Sequence, residues 1–396
     1  MLIGIVGKPS TGKSTFFTAA TSVPVERSAR PFTTIKPNHA VAYVEVECVD
    51  KEFGKQCNPR SGYCTDGRRF VPVELLDVAG LVPGAHEGKG LGNKFLDDLR
   101  QADLLVHVVD ASGSTNEVGE RVPAGSYDPC NDVRFLEQEL DYWIEGILEN
   151  NWPKLVREAR LNNKNEDMLT TQFSGLGMTK DVIVKVLKEL KLEEKNLAEW
   201  SEDEKLSIAK TIRRIGKPII IAANKCDLST GWDNYQKIKK EFPGYLVVAC
   251  SAEAEIALKG AAKNGFITYT PGDKTFTVKT ELNEQQKGAM GIMKAVCDKY
   301  EGTGIQKCLN SAVFDFLKYI AIFPGGVNKL EDKNGNVLPD VLLMPAGSTA
   351  LNFAFALHSD MAKGFIRAID VRTKIAHGKE YPLKNRDIFE IVFKKP

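Results

Sequence analysis

The chain has no uninterrupted apolar run long enough to span a bilayer, no CxxC pair and almost no net charge. The first absence argues against a membrane-spanning helix, so no membrane partner is expected. No signal peptide is expected ahead of a glycine-rich loop that begins at Gly7. A formal net charge of +1 over 396 residues gives no whole-chain attraction to polyanions. DNA is therefore not expected as a partner, and any RNA contact must come from a local patch. The eight cysteines are scattered through the chain and read as reduced thiols of a cytoplasmic protein. Cys48, Cys57 and Cys64 are separated by eight and six residues, with no histidine nearby. A zinc site needs four ligands in usual spacings, so these three are expected as free thiols in a surface loop. What is present, 43% apolar and 27% charged residues, is ordinary for a globular protein, and the length suggests two to four domains.

The N-terminus reads MLIGIVGKPSTGKSTFF. An apolar strand (Leu2–Val6) runs into G-x-x-x-x-G-K-[ST], with Gly7, Gly12, Lys13 and Ser14 in register. This is the phosphate-binding P-loop, whose backbone N–H groups cradle phosphate oxygens. The helix opened by Ser14 and Thr15 aims its positive end at the anion. The predicted phosphate contacts are Gly7, Lys8, Pro9, Ser10, Thr11, Gly12, Lys13, Ser14 and Thr15.

Three further motifs follow in order. PVELLDVAG places Asp77 at a strand tip, where it can hold Mg²⁺ through a water, and Gly80, whose N–H can donate to a terminal phosphate. IIIAANKCDL ends a strand at Asn224-Lys225-Cys226-Asp227. A carboxylate placed like Asp227 accepts from N1–H and the 2-amino group of guanine, donors that adenine lacks. Lys225 can lie over the base, and Asn224 can tie its loop to the P-loop. YLVVACSAE then sets Ser251, Ala252 and Glu253 after another strand, with the Ala252 N–H in reach of guanine O6. Four motifs in this order define a GTP/GDP-binding domain. Its sheet is expected at Leu2–Val6, Ala40–Val46, Phe70–Leu76, Leu104–Asp110, Pro218–Ala223 and Tyr245–Cys250.

PFTTIKPN (Pro31–Asn38) and DVAGLVPGAHEGKGLGNKFLDDLRQAD (Asp77–Asp103) closely resemble the switch regions of the Obg family of GTPases, in its YchF-type branch. The resemblance covers both ends of the chain well and the middle poorly. It implies Thr34 as the switch residue that holds Mg²⁺ and senses the γ-phosphate, with Thr33 as the fallback, and Ser14 as the other metal ligand. YchF-type proteins are known for a degraded base motif that admits ATP; here Asn224-Lys225-Cys226-Asp227 is intact, which favours GTP and leaves an ATPase as the alternative. Some relatives carry a P-loop asparagine that helps hold a monovalent cation. That position is Ser10 here, which argues against potassium activation. Leu81 follows Gly80 where other GTPases have a water-orienting glutamine, so the catalytic group comes from elsewhere. The candidates are His86 and His107. Against them stand a solvent-facing switch residue and a strand histidine satisfied by a backbone group. Gly84, Gly88, Gly90 and Gly92 suit a loop that orders with GTP.

The expected fold is α/β: a P-loop NTPase G domain with a mostly parallel sheet, an inserted helical domain and a C-terminal β-grasp domain. The G domain spans 1–114 and 215–262. Segment 115–214 is too long for one crossover and is rich in helix formers with apolar residues at three- and four-residue steps. A mostly helical connector (263–312) leads to 313–396. There VLLMPAGSTALNFAFALHSDMAKGFIRAID followed by KEYPLKNRDIFEIVF resembles a TGS domain, with Ser348 and Thr349 capping a helix. TGS modules elsewhere contact RNA or the translation machinery, which implies a ribosome or RNA partner. From Val313 onward there are 12 basic against 9 acidic residues, a mild excess compatible with a phosphate-contacting face.

Overall fold

The computed structural model describes residues 1–22, 38–78, 92–161 and 164–394. Seven strands form one sheet: β1 (Leu2–Val6), β2 (His39–Glu47), β3 (Tyr63–Thr65), β4 (Arg68–Asp77), β5 (Leu104–Asp110), β6 (Ile219–Asn224) and β7 (Leu246–Ala249). Their order is β2-β4-β1-β5-β6-β7, with β3 beside β4. The run β4-β1-β5-β6-β7 is parallel, whereas β2 and β3 are antiparallel to β4. The central sequences LLVHVVD and IIIAAN are buried at every position, as strands covered on both faces must be.

Helices α1 (Lys13–Thr21) and α2 (Gly92–Gln101) follow β1 and β4. Between β5 and β6 lie α3 (Cys130–Glu149), α4 (Trp152–Arg160), α5 (Asn165–Gln172), α6 (Lys180–Leu190) and α7 (Glu202–Gly216). This stretch is helical, as its periodicity predicts, and its core is continuous with the sheet. Leu136, Ile144, Ile183 and Ile212 pack in the same buried cluster as Val6, Leu76 and Leu105. A capping box between Ser201 and Glu204 starts α7, which returns the chain to β6. Helices α8 (Gly231–Glu241) and α9 (Ala252–Lys263) complete the parallel unit.

The connector contains a short hairpin, β8 (Ile267–Thr268) with β9 (Thr277–Val278), then α10 (Glu284–Tyr300), α11 (Ile305–Asn310) and a π-helical turn at Ser311–Phe316. The remaining strands are β10 (Tyr319–Pro324), β11 (Leu342–Pro345), β12 (Phe365–Asp370), β13 (Ala376–His377) and β14 (Ile388–Phe393), with helices α12 (Ala350–Leu357) and α13 (Ser359–Lys363). They form a sheet ordered β11-β10-β14-β12-β13, in which β10 and β14 are parallel. Thr349 caps α12 in a capping box with Asn352, so Asn352 has a structural task. One face of this sheet packs Ile322 and Phe389 against Phe353 of α12. The opposite face sends Ala321, Phe323 and Ile388 into the core that also holds Val44, Val71 and Val73 of the large sheet. Alternation of side chains along a strand thus lets β10 serve two cores.

The cysteines between β2 and β3 correct an expectation. Cys48 and Cys57 are 2% and 3% exposed, so they do not lie in a surface loop.

Candidate nucleotide-binding site

The carboxyl ends of β1, β5, β6 and β7 converge where the strand order reverses around β1, the position at which open α/β sheets bind ligands. A cleft of about 600 Å³ opens there, lined by Lys8–Ser10, Gly12–Thr15, Ser114, Thr115, Arg121, Val122, Lys225, Leu228 and Glu253. Arg121, Val122 and Leu228 carry no motif and were invisible to motif reading.

Two glycines are sterically required in the loop. A Cβ on Gly7 would sit 2.6 Å from the Val108 carbonyl oxygen. Gly12 has φ 89°, and a Cβ there would collide with the Asn224 amide. Ser10 also adopts a positive φ of 65°. Lys13 opens α1 and is ion-paired with Asp77 at the end of β4. Ser14, next to Lys13 in the cleft lining, offers a hydroxyl and Asp77 a carboxylate, oxygen donors of the kind that a hard cation such as Mg²⁺ takes.

Asn224 is 2% exposed and fastens three segments. Its Nδ2 donates to the Thr11 carbonyl at 3.1 Å, and its Oδ1 accepts from the Ala252 N–H at 3.1 Å. The Ala252 N–H, expected to face the base, is therefore already donated to a side chain, and contact with a base requires that bond to be shared. Lys225 donates to the Ser10 carbonyl at 2.8 Å and to Asp110 at 2.9 Å. Ser251 caps α9, accepting from the Ala254 N–H. Asp227 is exposed at the cleft rim beside Leu228.

Two groups of residues escaped the sequence analysis. Asp110, 1% exposed, accepts from Ser112, Ser114 and Thr115 as well as Lys225. Although its burial alone would raise its pKa, these donors hold its carboxyl below the ordinary range. The D-A-S sequence at a strand's carboxyl end was the available signal. The connector supplies the second group: the Tyr300 hydroxyl donates to the Cys226 carbonyl at 2.6 Å, and the Ser251 N–H donates to the Thr303 carbonyl at 2.9 Å.

Lys8 also lines the cleft, but its side chain is engaged by protein groups. Its ammonium is 2.8 Å from Asp132, donates to the Thr115 carbonyl and lies 3.8 Å from the Tyr127 ring centre. Burial pushes the Asp132 carboxyl up despite this pairing. His107 is 1% exposed in the middle of β5, does not line the cleft, and its Nδ1 has no partner among the described residues. Burial, with the nearby Lys8 charge, pushes it down to about 3, so it is neutral at physiological pH. The expected backbone partner of the strand histidine is not found at Nδ1. Thr33, Thr34, Gly80, Leu81 and His86 lie outside the described residues.

A parallel sheet with a P-loop after β1, and a guanine-type base loop after β6 bonded to it, defines a P-loop GTPase. Residues 2–131 match the 50S ribosome-binding GTPase model, 222–326 the model of the Obg-like GTPase YGR210-like, G4 motif-containing domain, and 333–393 the TGS domain. The chain is 47% identical over 392 residues to a GTP-binding protein of Methanocaldococcus jannaschii, covering 99% of this chain and 98% of that one. It is 28% identical over 378 residues to the ribosome-binding ATPase YchF of Bacillus subtilis, covering 92% and 87%. The crystal structure of a GTP-binding protein from Pyrococcus horikoshii superposes with a TM-score of 0.78 at 37% identity, covering all of both chains. This chain belongs to the YchF-like branch of the Obg-family GTPases, with a C-terminal TGS domain.

Proposed function

We propose that the chain is a cytoplasmic, Mg²⁺-dependent GTPase that hydrolyses GTP to GDP and phosphate and uses that cycle to switch its association with ribosomes. The observation that carries this reading is Asn224, bonded at once to the P-loop and to the Ser251-Ala252 turn beside an intact Asn224-Lys225-Cys226-Asp227 motif. In this reading the Gly7–Thr15 backbone cradles the phosphates and Lys13 leaves Asp77 to offset charge developing between the β- and γ-phosphates. Ser14 and Thr34 would hold the metal, with Asp77 reaching it through a water. Mg²⁺, when bound, neutralises the phosphate oxygens. Asp227 accepts from the guanine edge, and Gly80 donates to the γ-phosphate. No side chain at Leu81 can polarise a water, and the burial of His107 leaves that task to His86 or to a group brought by a partner. Isolated turnover is accordingly slow, well below one per second, as for unassisted GTPases.

The ribosome as partner rests on the TGS domain and on relatives named for ribosome binding. The YchF relative named as an ATPase favours a second reading, with ATP as the substrate. Calorimetry separates the two: GTP and GDP should bind at least about a hundredfold tighter than ATP and ADP. Equal affinities would install the ATPase. The switch is tested by sedimentation with ribosomes at several salt concentrations. The whole chain is used, because Phe323 and Ile388 of the TGS unit complete the large core. Pelleting should be stronger with a non-hydrolysable GTP analogue than with GDP; no nucleotide dependence at any salt defeats it.

A further inference from the structure

The segment between β2 and β4 has little regular structure: a single 3₁₀ turn (Asp50–Phe53), an irregular stretch and the three-residue strand β3. Yet its side chains converge. The Sγ atoms of Cys48, Cys57 and Cys64 and a carboxylate oxygen of Asp50 all lie within 4.8 Å of one another. Cys48 Sγ is 3.6 Å from Cys57 Sγ, and Cys64 Sγ is 3.9 Å from Asp50 Oδ2. A tetrahedral zinc ion with Zn–S bonds of about 2.3 Å has S···S edges of about 3.8 Å. The four donor atoms therefore stand close to the spacing of a coordination tetrahedron. We propose that Cys48, Asp50, Cys57 and Cys64 bind one structural Zn²⁺ ion.

The surroundings suit a charged cluster. Asp50, fully buried, is held by two backbone donors, the Lys51 N–H at 2.8 Å on Oδ1 and the Cys57 N–H at 3.1 Å on Oδ2. Such bonds fix the direction of a metal-binding carboxylate. Cys64 is paired in register with Arg69 on β4, which puts both side chains on one face of the sheet. Arg69 is 1% exposed and beside Cys57; it donates to the neutral carbonyls of Leu338 and Pro339, while its Nε has no partner among the described residues. A buried guanidinium needs compensating charge. A zinc ion with three thiolates and one carboxylate carries a net charge of −2, and binding releases the three thiol protons to solvent. Three sulfurs and one oxygen select zinc over magnesium or calcium, and four protein ligands leave no open position for catalysis.

The cluster also supports the TGS unit. Asn58 N–H donates to the Val337 carbonyl at 2.8 Å and Arg60 N–H to the Pro339 carbonyl at 2.9 Å. Both donors sit between ligands Cys57 and Cys64. The ion would pin the platform on which the C-terminal domain rests.

The test begins with the wild-type chain, purified without chelators or tags that carry metal, and its zinc content by mass spectrometry of the elements. About one zinc per chain is expected, released when an organomercurial titrates the thiols. Exchange with Co²⁺ should give the visible bands of tetrahedral thiolate coordination. Cys57→Ser should lose the ion and Asp50→Asn should bind it more weakly, while Cys297→Ser, at a buried thiol elsewhere, should keep it. If Cys57→Ser fails to fold, the wild-type stoichiometry and cobalt spectrum still decide the matter. A wild-type chain that stays metal-free with equimolar zinc, or a non-reducing peptide map showing Cys48 joined to Cys57 as a disulfide, would overturn the proposal.

Discussion

Replacing Asn224 by alanine removes two hydrogen bonds whose partners are far apart in sequence. The side chain is 2% exposed and joins β6 to Thr11 in the P-loop and to Ala252 at the start of α9. A net hydrogen bond contributes about 1 kcal/mol, and a buried group left unpaired costs about 1–3 kcal/mol. Two such losses, partly relieved by water entering from the cleft, predict a stability decrease of about 2–4 kcal/mol. Nucleotide affinity should fall with it. The P-loop and base loop would no longer be held in register, and each 1.4 kcal/mol of lost preorganisation is about tenfold in Kd. Denaturant titration gives the first quantity and calorimetry with GDP the second. A stability change under about 0.5 kcal/mol with GDP affinity unaltered would refute the idea that Asn224 fastens the site.

Lys13→Ala should abolish hydrolysis and weaken triphosphate binding, yet alter stability by less than about 1 kcal/mol, because the partly exposed Asp77 it leaves can be solvated; near wild-type turnover would remove Lys13 from the chemistry. Asp227→Asn should shift preference from guanosine toward xanthosine nucleotides, whose 2-oxo group accepts from the new amide, and competition binding with both series reads this directly. The depressed pKa of His107 has a defined sign. The unfolded chain, with its histidine near 6.5, binds the proton more readily than the folded one at about 3, so stability is complete above pH 6.5 and declines as pH falls toward 3. His107→Leu should flatten that part of the acid-unfolding curve and leave turnover intact at neutral pH; lost turnover would return His107 to the water-orienting role.

The loops of the candidate nucleotide site were legible from the sequence because they are made by short contiguous motifs. Gly7–Ser14 specifies a turn geometry within one loop, and LIGIV, LLVHVVD and IIIAAN announce buried parallel strands by their predominantly apolar runs. Periodicity likewise gave the helices between β5 and β6, and the Thr349 cap gave α12. Other features depend on which distant segments meet. Asp110 gathers its local hydroxyl donors within five residues, but its link to the base loop comes from Lys225, 115 residues later. Tyr300 and Thr303 buttress the base loop from the connector, with no local pattern to advertise them. The ion pair of the buried Lys8 side chain with Asp132 is another contact that no spacing rule could foresee. The four-donor cluster is the clearest case. Spacings of eight and six residues match no familiar metal motif, and nothing in the local sequence marks Asp50 as a ligand. The antiparallel pairing of β3 on β4 folds the segment back until four donor atoms share one small volume. Local backbone preferences and hydrophobic period fix elements and short loops; the encounter of side chains far apart in sequence is decided only when sheets and helices pack.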